Sequence, residues 1–314
     1  MKKGLMMLGI ATMMLASCTN EDVLNVSDSR AIGFDAFVGK TTKADITDEN
    51  IKEFYVYGGY DNNLTNVFNN VKVYLDGTWK YDKTQYWTAD KTYKFQGYAP
   101  ATDKAEAGEN GVNFTNFEAD GTTDLLASDV VTRTTTSTEE GISNSDVIQL
   151  QFRHVLSKIK FKFTTDLDNV NIAISNLTVN ALPNTGTYTN NGATGSTWAV
   201  SESGNYTLSS TGTLTNSDDL ISGDAIVLPQ TPSNISVTFT VTATGGLSLT
   251  KEHTVTLPAT TLEEGNVYVY TANITAQNID PENPLKPIEF GDPTVEEWST
   301  DQTGGDVIYP TPVP

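Results

Sequence analysis

The chain has 314 residues and carries 39 acidic against 19 basic side chains, a formal charge of −20. That balance repels phosphate backbones, so it argues against nucleic acid as a partner, and it argues against charge-driven adhesion to an anionic lipid surface. With 38% hydrophobic and 9% aromatic residues, the chain has the material for packed cores and is not a disordered acidic tract.

At the N-terminus, Lys2 and Lys3 precede an almost unbroken apolar run from Leu5 to Ala16. This is the build of a secretory signal, and the run is too short to span a bilayer as a stable helix. Ala16 and Ser17 lead into Cys18, the single cysteine of the chain. The order Leu15-Ala16-Ser17-Cys18 resembles a bacterial lipobox, which implies cleavage before Cys18 and a lipid on its thiol. Residues 1–17 then read as a signal peptide, and residues 18–30 as the lipidated cysteine and a flexible tether. The acidic Thr19-Asn20-Glu21-Asp22 resembles the surface-export signal of Bacteroidales lipoproteins and reads equally well as a solvated linker. The expected location is the outer membrane, exposed at the surface. A lone cysteine excludes an intrachain disulfide and a thiolate metal site.

Beyond the tether, period-2 alternation recurs. Ile32, Phe34, Ala36 and Val38 alternate with Gly33, Asp35 and Phe37. Further runs are Val71 to Leu75, Ile148 to Phe152, Ile159 to Phe163 and Ile235 to Val241. Each has one apolar and one polar face, as in a sheet packed on one side. Turn signals separate them at Gly58-Gly59, Asp76-Gly77, Asp120-Gly121, Asn191-Gly192 and Gly245-Gly246. Near Thr47 to Lys52 the reading is a short helix or turn, capped by Thr47. Thr132 to Asp146 reads as a long polar loop. The expectation is an all-β chain of β-sandwich domains over 31–145 and 146–284, followed by C-terminal strands and a tail over 285–314. Short apolar runs in this last part, set off by prolines, either leave the parent sandwich or add edge strands to it.

Chemistry-bearing patterns are sparse. His154 and His253 belong to no metal-ligand spacing. Glu139-Glu140 and Glu296-Glu297 are adjacent, so on a strand they point to opposite faces and make a poor glycosidase pair. Asp166-Leu167-Asp168-Asn169 lacks the Gly and terminal Glu of a calcium loop and reads as a turn. Tyr55, Tyr57, Tyr60, Tyr74, Trp79, Tyr86 and Trp87 suit a core or cross-strand pairs, and if exposed on one face they would suit sugar stacking. The reading is of a chain with no catalysis, cofactor or metal.

Several segments in order resemble the fimbrillin family, the type V pilins and pilus-associated lipoproteins of Bacteroidales. They are the lipobox, Ala31-Ile32-Gly33-Phe34 leading to Thr41-Thr42-Lys43-Ala44, and Phe54-Tyr55-Val56-Tyr57. Then come Lys94 to Pro100, Thr123-Asp124-Leu125-Leu126, Leu150 to Phe161, Glu264 to Tyr270 and Val295-Glu296-Glu297-Trp298. The resemblance implies two transthyretin-like β-sandwich domains. It also implies removal of the first strand by a trypsin-like protease and filling of the vacated groove by a C-terminal strand of another subunit. The displaced strand would hold Ile32, Phe34, Ala36 and Val38. The cut would fall between Lys43 and Ala44, where the family's stalk pilins carry Arg; a cut at Arg30 would leave the strand in place. The donor would lie within Ile288 to Tyr309, with Ile288, Phe290, Val295, Trp298, Val307 and Ile308 as candidates. The implied partners are other fimbrial subunits, the outer membrane through the lipid, the protease, and a host protein or glycan. Two alternatives stand beside the polymerising subunit: an uncleaved anchor subunit and a glycan-binding surface lipoprotein.

Overall fold

A computed structural model describes residues 30–38, 51–139, 141–208, 212–215, 220–280, 282 and 286–298. Residues 1–29, with Cys18, lie outside them, as do Lys43, Ala44, Thr47, Val307 and Ile308.

Among the described residues the chain is strand after strand, with one short 3-10 turn at Gly192–Thr194. In order the strands begin β1 (Phe34–Val38), β2 (Glu53–Tyr60), β3 (Phe68–Asp76), β4 (Thr78–Lys80), β5 (Thr92–Ala99), β6 (Ala105–Ala107) and β7 (Val112–Glu118). There follow β8 (Leu126–Ser128), β9 (Val131–Thr134), β10 (Thr136–Thr138), β11 (Gly141–Ser143), β12 (Ile148–His154), β13 (Ser157–Thr165), β14 (Val170–Asn190) and β15 (Ser196–Leu208). The last are β16 (Thr213–Thr215), β17 (Leu220–Ile221), β18 (Ala225–Val227), β19 (Ser236–Gly245), β20 (Leu249–Thr256), β21 (Asn266–Ile274) and β22 (Thr294–Glu297).

Three main sheets result. The first runs β1-β12-β8-β5-β2-β3-β4, with β9 extending β5. The second runs β20-β19-β14-β7-β6, with β15 and β16 also on β14. The third runs β17-β13-β21-β22, with β18 on β13. The second and third face each other as a sandwich, with Phe163 of β13 against Phe239 of β19 at 5.2 Å between ring centroids. The all-β expectation holds.

The first sheet buries one face along its length and part of the other along β2 and β5. One face, with Phe54, Val56, Phe95, Leu150 and Phe152, curls around its own aromatic core. The other, with Tyr57 and Tyr98, joins the larger core of the sandwich. Two crossings stitch the parts together. β7 leaves the first half of the chain to pair with β14 in the second sheet. β12 lies past residue 145 yet pairs with β1 and β8 in the first sheet. Buried Gln96 of β5 pins the crossing, because Val112 N–H donates to its Oε1 at 2.6 Å and its Nε2 donates to the Ser128 carbonyl at 2.7 Å. With both ends of the amide paired, its burial carries no desolvation penalty.

Two expectations are corrected. Gly58-Gly59 is not a turn but lies inside β2. A Cβ on Gly58 would come within 2.4 Å of the Phe95 ring, and one on Gly59 within 2.1 Å of the Asn63 carbonyl, so close packing rather than chain reversal requires glycine there. Thr132 to Asp146 is not one long loop. It holds most of β9 and the β10–β11 hairpin, whose Thr and Ser hydroxyls satisfy each other and the Asp90 carboxylate.

Candidate functional site

β1 occupies an edge of the first sheet and pairs in parallel with β12, Phe34 beside Ile148 and Val38 beside Phe152. Its alternation is the reason it sits there. Ile32, Phe34 and Ala36 are 1%, 5% and 2% exposed, while Gly33, Asp35 and Phe37 are half-buried and outward. Phe34 enters a box of rings, with centroids 5.1 Å from Phe68, 5.9 Å from Tyr81 and Phe95, and 6.3 Å from Phe54. Its neighbours meet it edge-on, the favoured aromatic geometry. Burying a chain of this size contributes about 1.5–3 kcal/mol.

Just ahead of β1 the backbone is clamped by the loop after β4. Ile32 N–H donates to the Gln85 carbonyl at 2.8 Å, Trp87 N–H donates to the Arg30 carbonyl at 2.9 Å, and the Tyr81 hydroxyl donates to the Ile32 carbonyl at 2.6 Å. β1 is thus a plug held by one ladder, one clamp and one ring. The backbone of Val38 ends the β1 ladder.

The C-terminal segment folds onto its own domain. β22 extends the third sheet, antiparallel to β21. Ile288 and Phe290 are buried, and the Phe290 ring lies 5.3 Å from Phe161, 5.7 Å from Phe163 and 6.1 Å from Phe239. Trp298, 7% exposed, stacks on His154 at 4.1 Å and 6° between planes. The Lys158 ammonium sits 4.3 Å above the indole and 3.0 Å from the Asp224 carboxylate. His154 meets the Asp124 carboxylate through Nδ1 at 2.6 Å, and Trp298 N–H donates to the Gly265 carbonyl at 2.8 Å. Of the donor candidates among the described residues, only Val295 is exposed, at 52%. β1 and β22 belong to different sheets, so these two ends do not lie side by side.

The remaining candidates divide cleanly. Tyr57 and Trp87 are core residues, Tyr55, Tyr60, Tyr74 and Trp79 are half-buried, and Tyr86 is exposed at 48%; these aromatics form no exposed face. Asp166 to Asn169 is the turn between β13 and β14. His253 packs on Phe239 and its Nε2–H donates to the Ile279 carbonyl at 3.1 Å. Among the described residues no group of three or more His, Cys, Asp or Glu is placed to hold a metal ion. Sequence reasoning missed the lining of the Phe34 box, the Gln96 pin and the His154–Trp298 stack, since each joins residues distant in sequence.

A fimbrillin-like family pattern matches residues 40–298, and the chain belongs to that family. No curated protein matches it by sequence. Its fold is similar to that of a fimbrial protein from Bacteroides vulgatus, at 18% identity and a TM-score of 0.59, over 86% of this chain and 100% of that one. It is also similar to a candidate cell-adhesion protein from Bacteroides ovatus, at 15% identity and 0.54, over 87% and 99%. A third such structure, a candidate cell-adhesion protein from Bacteroides uniformis, gives 18% and 0.53, over 86% and 99%.

Proposed function

We propose that this chain is a non-catalytic structural subunit of a cell-surface fimbrium, exported as a lipoprotein through Cys18, held at the outer membrane, and polymerised by protease-triggered strand exchange in the service of adhesion. The observation that carries the reading is β1. It is a short edge strand whose apolar side chains fill a ring-lined slot, and Lys43 follows it five residues after its last ladder residue. A cut there by a trypsin-like enzyme frees the strand with everything before it, lipid included. The slot it leaves demands another strand with backbone groups for β12 and apolar side chains for the box. The donor lies within Ile288 to Tyr309; Ile288, Phe290 and Trp298 are seated in their own domain in the uncut chain, so they serve only by leaving that seat. Head-to-tail contacts of this kind do not close and build a fibre. The partners are further fimbrial subunits, with a host protein or glycan as the adhesion target.

Limited trypsin digestion of the precursor lacking its signal peptide, followed by mass spectrometry and sizing, tests this. Cleavage after Lys43 with polymers that resist mild heating is the expected result. Resistance at Lys43 with β1 retained would assign the chain to an uncleaved anchor role. A cut product that stays monomeric would remove the strand-exchange reading.

A further inference from the structure

Among the described residues, two buried N–H groups without an acceptor flank one ring, that of Tyr93. They are Nε1–H of Trp87 and Nε–H of Arg133. The ladder places Arg133. β9 pairs with β5 so that Val131 stands opposite Phe95 and Arg133 opposite Tyr93. Residues opposite each other in an antiparallel pair share a face, and Tyr93 and Phe95 belong to the aromatic core of the first sheet. Arg133 therefore turns inward beside Tyr93, half-buried, while Thr132 and Thr134 point to solvent. The loop between β4 and β5 places Trp87. Its buried indole meets the Tyr93 ring edge-on, at 4.9 Å and 82° between planes. Thr88 next to it donates its N–H to the Tyr93 hydroxyl at 2.8 Å, and its carbonyl accepts from the Thr135 hydroxyl at 2.7 Å. Loop, β5 and β9 are thus tied together around the two donors.

Charge makes the guanidinium conspicuous. The chain holds 39 acidic residues and only three arginines. Arg153 is met by the Glu264 carboxylate at 2.5 Å. Arg133 has no carboxylate partner among the described residues. Asp90, in the same loop as Trp87, is turned instead to Ser137, whose N–H and hydroxyl both donate to it at 3.1 Å. A half-buried cation with an unpaired N–H carries an uncompensated desolvation cost, and the buried indole N–H carries another. Native structures leave few such groups, and a bound ion is one of the reasons they do. Two donors side by side, one of them on a cation, complement the oxygens of an oxyanion. A guanidinium gripped from the side offers Nε–H and one Nη–H to two oxygens at once.

We propose that Arg133 and Trp87 form a binding site for an oxyanion, a carboxylate or phosphate group carried by a small ligand. The guanidinium holds it through Nε–H and an Nη–H, and the Trp87 indole N–H donates from the core side. The formal charge of −20 repels a polyanion from a distance, so the ligand carries a single such group. The site goes beyond the fimbrial reading and does not depend on strand exchange, since neither residue belongs to β1, to β12 or to the C-terminal segment.

Nuclear magnetic resonance of the nitrogen-15-labelled chain reads the site directly. The four tryptophans give four indole N–H signals, and Trp87→Phe assigns the one that matters. Sodium acetate and sodium phosphate are titrated separately, each against sodium chloride at matched ionic strength. The expected result is a saturable shift of the Trp87 indole signal with acetate or phosphate and none with chloride. A stronger response to acetate identifies a carboxylate ligand and a stronger response to phosphate a phosphate ligand; either supports the site. Losing a hydrogen bond to a charged group weakens binding about tenfold or more, so Arg133→Gln should raise the dissociation constant at least tenfold. Arg133→Lys, which keeps the charge and loses the fork, should fall between. No saturable shift, an equal shift with chloride, or unchanged binding in Arg133→Gln would overturn the proposal. If Arg133→Gln does not fold, the titration of the unsubstituted chain decides alone.

Discussion

Phe34 concentrates the energetics of the edge strand in one side chain. Its ring meets four others, so Phe34→Ala removes those contacts and leaves a cavity, and should cost the uncut precursor roughly 3–5 kcal/mol in denaturant unfolding. The same substitution should leave the product cut after Lys43 unchanged, because the residue is no longer there; an equal loss in both forms would mean that β1 stays bound. His253 supplies a pH signature. Burial pushes its imidazole below the usual value of 6.5, outweighing the opposing pull of the Ile279 carbonyl and the Asp280 carboxylate. The folded state therefore binds fewer protons than the unfolded state. Stability is full above about pH 6.5 and falls as the pH drops below it toward the lowered folded value. Thermal unfolding from pH 7 to pH 5 should show this decline, and His253→Phe, which keeps a ring on Phe239, should flatten it.

At the scale of elements, β22 is the edge strand whose hold depends on the residue that follows it. Trp298→Ala removes the stack on His154 and the ring under Lys158. Hydrogen exchange should then lose protection at the β21–β22 ladder while the β1–β12 ladder keeps its own; loss in both would show that the two sheets open together. Much of this architecture was legible in the chain. β12, β13 and β19 alternate strictly because each packs one face, and Phe34 could be assigned an inward direction from its neighbours alone. Gly58-Gly59 misled because glycine in a strand and glycine in a turn look alike until the Phe95 ring and the Asn63 carbonyl are in place. The Thr-rich stretch after β8 hid short strands because its hydroxyls pair with each other rather than with a core. The ring box, the parallel partner of β1 and the His154–Trp298 stack have no local signature, since they are made by the topology.

At the scale of the whole molecule, the first sheet meets the sandwich through Tyr57 and Tyr98 and keeps its other face for its own core, where Ile148, Leu150 and Phe152 of β12 back the β1 edge. Val155 and Leu156 are all that separates β12 from β13. β13 lies beside β21, and β21 carries β22 and Trp298. In a fibre built by the proposed exchange with a donor drawn from beyond Trp298, pulling force would enter each subunit along β12 and leave by that donor. The line of tension therefore runs through β12, β13, β21 and β22, with every ladder on it loaded along its length so that its bonds share the strain. β2 to β5 and the long β14–β15 hairpin stand off that line, free to present loops while the spine bears the pull.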